Sequence, residues 1–130
     1  MGLNEIIKYW FESANEALET VETLLNNKKY VHAMFFLHLA VEKKLKGYYI
    51  HLNKEEAPHG HNLAVLASKI SNAQFSERQL QILTEISRFN IAARYDDYKR
   101  NFDKICDVNF ATPYFNKVKE IFEWLESRMK

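Results

Sequence analysis

Val31-His32-Ala33-Met34-Phe35-Phe36-Leu37-His38-Leu39-Ala40-Val41 is interrupted only by His32 and His38. The run is too long for an ordinary strand, and as a helix it is apolar around most of its circumference. Such a helix belongs in the middle of a bundle, touched on several sides. Its continuation, Glu42-Lys43-Lys44-Leu45-Lys46, is expected to turn one side to solvent while Leu45, Tyr48, Tyr49 and Leu52 carry the apolar seam to an end near Asn53. A helix with this much apolar surface also predicts a homodimer, since a small bundle has few partners with which to cover it.

The preceding segment supplies one partner. Ile7, Trp10, Phe11, Ala14, Leu18, Val21, Leu24 and Leu25 recur at three- and four-residue spacings, with Glu12, Glu16, Glu19 and Glu22 on the other face. Asn26-Asn27-Lys28-Lys29 ends that helix, because asparagine tolerates turn geometry and lysines suit a helix C-terminus. After the central helix, residues 54–61 hold Pro58 and Gly60 and read as a loop. A short helix over about 62–70 follows, with Leu63, Leu66, Ala67 and Ile70 on one face. Ser76-Glu77-Arg78-Gln79 has the form of a capping box and starts the next helix, whose seam is read as Leu80, Leu83, Ile86 and Ile91. Residues 94–111 lack clean periodicity and read as an irregular connection with one helical turn at most. Thr112-Pro113 then predicts a fresh start, with Thr as cap and Pro at the first helical position. Phe115, Val118, Ile121, Phe122, Leu125 and Met129 form the last apolar stripe. The expected fold is all-α: one domain over residues 1–130, an up-and-down bundle of four long helices and one short one.

Composition agrees. The 130 residues are 47% hydrophobic and 27% charged, with only three Gly and two Pro to break long helices. Eighteen basic residues against 17 acidic ones leave a formal charge of +1, too little to draw the whole molecule to nucleic acid or an anionic membrane. Nucleic acid therefore stays open as a partner only through a local patch. Cys106, the one cysteine, cannot form an internal disulfide, which suits a reducing cytoplasm. With no secretory leader and no membrane-length apolar run, a cytoplasmic protein without a membrane partner is expected.

Leu37-His38-Leu39-Ala40-Val41-Glu42-Lys43-Lys44-Leu45-Lys46 resembles the central-helix signature of the HEPN family, a Gln or His followed by Ala-x-Glu-Lys-x-Leu-Lys. His61-Asn62-Leu63 resembles its His-x-Leu start to a short third helix. Phe89-Asn90-Ile91-Ala92-Ala93-Arg94-Tyr95-Asp96-Asp97 resembles the segment that ends in Arg-Tyr-Pro-Asp, with Asp96 in the place of Pro. Three pieces in order, with Trp10 and Tyr30 also in place, extend the likeness over roughly residues 5–125. The resemblance implies a helical bundle, commonly dimeric, related to the helical domain of kanamycin-type nucleotidyltransferases and often encoded beside a minimal nucleotidyltransferase. Many HEPN proteins are metal-independent ribonucleases or the toxins of toxin–antitoxin pairs; others bind nucleotides or lack catalysis.

The ribonucleases of that family carry an Arg followed roughly four to six residues later by a His, one to hold the phosphate and the other to move a proton. Here His32, His38, His51, His59 and His61 all precede the first arginine, Arg78. The linear motif cannot occur, which argues against that enzyme activity and leaves no catalytic residue to nominate. The expected function is a noncatalytic HEPN-type binding protein for a nucleotide or a partner nucleotidyltransferase; the alternative is an atypical ribonuclease or toxin.

The candidate ligand-binding residues are His38, Glu42 and Lys46, one turn apart on the central helix, with Asn90, Arg94, Tyr95 and Asp97 beyond the fourth. Lys46 and Arg94 would hold phosphate and Tyr95 would stack on a base. The competing reading is structural: Glu42 pairs with Arg94 or Lys46 and pins two helices together. Residues 94–104 interleave Tyr95, Tyr98 and Phe102 with opposed charges and read as a solvated loop. His59 and His61 are too few for a closed zinc site and read as a helix cap or loop surface, so no metal and no cofactor is expected.

Overall fold

The computed structural model describes residues 2–70, 73–92 and 96–129; the side chains of residues 96–99 lie outside the description. Among the described residues six helices follow one another: α1 (Leu3–Asn26), α2 (Tyr30–Asn53), α3 (Leu63–Ser68), α4 (Glu77–Ala92), α5 (Asp96–Ile105) and α6 (Val108–Arg128). No strand occurs among the described residues. The architecture is the all-α bundle read from the apolar spacing, with α2 packed against α1, α3, α4 and α6. Met34, Leu37, Leu45 and Tyr48 of α2 are wholly buried against Ala14, Val21, Leu83, Ile86, Val118 and Leu125. Among the described residues, no helix is long and apolar enough to cross a membrane.

Local signals placed the ends well. Ser76 and Gln79 make the reciprocal capping box: the Ser76 backbone N–H donates to Gln79 Oε1 at 2.9 Å and the Gln79 N–H to Ser76 Oγ at 3.1 Å. The short helix begins under the side chain of Asn62, which accepts from the Val65 N–H at 3.1 Å. The Glu face of α1 is exposed and α2 ends at Asn53, both as read.

Three expectations are corrected. The second half of α2 does not turn to solvent. Lys44 has a side chain only 3% exposed, its ammonium 4.8 Å from the Phe11 ring centre and 5.2 Å from that of Phe122. The ammonium also donates to Glu126 Oε1 at 3.1 Å, and Glu126 stands at the surface. Apolar surface also remains on α2, where Val31, Phe35, Phe36, Leu39, Tyr49 and Leu52 are only partly buried. On α4, Phe89 rather than Ile91 continues the seam; Ile91 is exposed and Ile82 is buried.

Finally, the connection read as irregular contains the ten-residue α5, and α6 starts at Val108 under an Asp107 cap (Asp107 Oδ1 to Phe110 N, 2.9 Å), not at Thr112. Pro113 sits inside α6, past its first turn, and cannot donate the backbone bond that its position would make to the Asn109 carbonyl. Phe89, Phe102, Phe110 and Tyr114 explain the order here: their ring centres lie 5.1–5.8 Å apart in an aromatic cluster drawn from α4, α5 and α6.

Candidate functional site

The polar centre of the molecule is built on one carboxylate. Glu42 is buried on α2, yet both of its oxygens are engaged. Oε2 accepts from Lys46 Nζ, one turn on, at 3.2 Å. Oε1 accepts from Nδ1 of His61 at 2.7 Å. The loop delivers His61 through Gly60, whose φ of 121° suits a residue without a side chain. The backbone of His61 is tied down as well: its carbonyl accepts from Nε2 of His38 at 2.8 Å. Thus His38, Glu42 and Lys46 do line one stripe of α2, and what they hold is the loop ahead of α3.

These bonds settle the protons. His38 Nε2 faces a carbonyl and must carry hydrogen, so in the neutral ring Nδ1 is a bare acceptor. That atom is buried without a hydrogen-bond partner, and at 4.0 Å the Glu42 carboxylate is out of reach. Burial pushes the His38 pKa below its ordinary 6.5, against the opposing pull of the His61 carbonyl and of Glu42. His61 is arranged the other way. Nδ1–H points at a buried carboxylate, which fixes the ring's orientation while the side chain stays 63% exposed.

A cleft of about 470 Å³ opens beside His61, lined also by Asn62, Thr84, Ser87, Arg88, Asn90 and Ile91. Several of these groups are already committed: Ser87 Oγ accepts from the Leu63 N–H at 2.8 Å and donates to the Leu83 carbonyl, and Thr84 donates to the Leu80 carbonyl. His61 and Arg88 are therefore its chemically versatile members. An oriented imidazole and a guanidinium share one cleft, and the guanidinium fork is suited to a phosphate.

Of the sequence-derived candidates, His38, Glu42 and Lys46 are brought together, and Asn90 lines the cleft beside His61. Arg94 and Tyr95 lie outside the described residues, as does the side chain of Asp97. The pairing of Glu42 with Lys46 is observed; its second partner is His61, which had been read as a cap or a surface residue. The cap role belongs to Asn62. His61 already stood in the His-x-Leu piece, whereas nothing in the sequence singled out Arg88. Phe102 is buried in the aromatic cluster and offers no stacking surface. Cys106 is buried, and burial, with Asp107 and Asp103 nearby, raises its thiol pKa to about 12, far from a nucleophile's range.

The HEPN domain family matches residues 7–128 of the chain. Among solved structures, the crystal structure of TT1696 from Thermus thermophilus is similar, with 21% identity, a TM-score of 0.80 and coverage of 94% of this chain and 97% of that one. At this identity the likeness speaks for the fold alone. No curated protein matches the chain.

Proposed function

Because the chain belongs to the HEPN domain family, we propose that it is a noncatalytic binding protein that takes a nucleotide by its phosphate in the cleft lined by His61, Arg88 and Asn90. The observation that carries this reading is the Glu42–His61 pair. A buried carboxylate orients an exposed imidazole beside an arginine, so charge and hydrogen-bonding capacity are preorganised before a ligand arrives. A partner nucleotidyltransferase, which the family resemblance suggests, is a further part of the proposal; co-purification with such a protein encoded next to this one tests it.

Titration calorimetry with AMP and ATP, and with adenosine as the phosphate-free control, tests the ligand. Binding of the nucleotides but not adenosine is expected, with Arg88→Ala about tenfold weaker, the loss of one charge-assisted contact. Adenosine binding as well as AMP, or no heat from any of the three, would sink it.

The same pair favours a second reading, cleavage of RNA. Although no histidine follows an arginine in the sequence, His61 and Arg88 share a cleft, and a carboxylate-backed imidazole is a competent proton acceptor. We expect no ribonuclease activity above background from the wild type, with or without divalent metal. Cleavage of labelled RNA that disappears in both His61→Ala and Arg88→Ala would replace the binding proposal with this one.

A further inference from the structure

A second cleft, of about 620 Å³, lies between the start of α1, the last turns of α2 and the following loop, and shares no lining residue with the first. Its walls are apolar: Leu3, Ile6 and Trp10 from α1, Ile50 from α2, and Ala57 and Pro58 from the loop. Two cations enter it. Lys46 is only 13% exposed, and its ammonium lies 6.0 Å from the Trp10 ring centre. Glu42 occupies one of its three N–H donors, so two remain to be spent. Lys54, at the C-cap of α2, is exposed and adopts a left-handed φ of 57°.

The acids of the same lining are differently placed. Glu55 accepts from the Tyr49 hydroxyl at 2.7 Å, and Glu56 stands in solvent 3.7 Å from His59. Lys46 is therefore the charge set against the apolar wall, while Lys54, Glu55 and Glu56 are all exposed. A cavity of this size with a tryptophan and several aliphatic walls excludes water from a flat apolar body, and spare ammonium donors beside it select an acidic group.

We propose that this cleft is a separate binding site for a small amphipathic anion, a planar aromatic body carrying one carboxylate, sulfonate or phosphate. The body lies along Trp10 and Ile50, and the acidic group takes the free donors of Lys46 with Lys54 closing over it. The two clefts share no lining residue, although Glu42 accepts from both Lys46 and His61, so each cleft is tested by its own variants.

The probe is 1-anilinonaphthalene-8-sulfonate with the full chain, read by dye fluorescence and by quenching of Trp10 in a Trp124→Phe background. The uncharged N-phenyl-1-naphthylamine serves as control. Saturable binding of one dye per chain with loss of Trp10 emission is expected. Lys46→Gln should weaken the sulfonate about tenfold and leave the neutral dye unchanged. Lys54→Gln, at an exposed position that cannot disturb the core, should weaken it about threefold. Circular dichroism melting curves establish that each variant is folded; if Lys46→Gln is not, the Lys54→Gln comparison decides. The proposal is overturned by dye uptake that never saturates, by equal affinity for charged and neutral dyes across the folded variants, or by Trp10 emission that does not respond. Loss of binding in Arg88→Ala with the lysine variants unaffected would also overturn it, because the dye would then sit in the other cleft.

Discussion

At His38 a titratable ring is held where water does not reach it, and its protonation becomes part of the folding equilibrium. Burial depresses its pKa in the folded chain below the ordinary 6.5. Above 6.5 both folded and unfolded chains hold the ring neutral, and the stability is fully present. As pH falls below 6.5 the unfolded chain takes up a proton that the folded chain refuses until a lower pH, so stability is lost across that window. The thermal midpoint should therefore drop between about pH 7.5 and about pH 5.5, and His38→Gln should flatten the slope while keeping a donor for the His61 carbonyl. An identical slope in the variant would mean that His38 is not the group responsible. His61, its neighbour across the same carbonyl contact, shows why burial and hydrogen bonding must be read together: one ring is shut in, and the other is anchored by Glu42 and left open to ligand.

The contact between α1 and α2 depends on a residue with no side chain. An added Cβ at Gly47 would lie 2.7 Å from Phe11 Cε1 and 3.0 Å from Trp10 Cβ. Two effects oppose each other in Gly47→Ala. Helix propensity favours alanine by about 1 kcal/mol, whereas overpacking a tight helix interface costs about 1–3 kcal/mol. The Phe11 ring can swing, but its face also covers the Lys44 ammonium, so moving it loosens a second contact. Gly47→Ala should consequently destabilise the chain by up to about 2 kcal/mol, and Phe11→Leu added to it should recover part of the loss by making room. Urea unfolding midpoints measure both; a more stable Gly47→Ala would show that propensity outweighs the contact.

For the whole molecule, assembly is the open dimension. On α2, from which a homodimer is expected, Val31, Phe35, Phe36 and Leu39 are partly buried and none of them is fully exposed. The remaining exposed apolar residues include Ile105 and Val108 at the α5–α6 corner and Val65 and Ile91 beside the polar cleft. We propose pairing through the α5–α6 corner. Light scattering at micromolar concentration should give twice the 15.4 kDa chain mass, and Ile105→Lys with Val108→Lys should return it to one chain. A single 15.4 kDa species for the wild type would rule the dimer out.

What the sequence alone determined is what neighbouring residues settle among themselves. The three- and four-residue spacing of α1 and α6, the all-round apolarity of α2 and the Ser76–Gln79 box are local, and all were legible. The His38–Glu42–Lys46 stripe was legible for the same reason, since helical geometry alone aligns residues four apart. Tertiary structure decided the rest. The ten residues of α5 and the early start of α6 owe their order to rings from three helices, which no single window of sequence contains. Lys44 is buried because Phe11, Phe122 and Glu126, distant in the chain, together receive a charge that by itself would seek water. His61 and Arg88 come in the wrong order for a linear motif, yet folding sets them in one cleft and gives His61 its carboxylate. Sequence order constrains motifs, but chemistry depends on distance, and distance between separate elements is fixed only when the core closes.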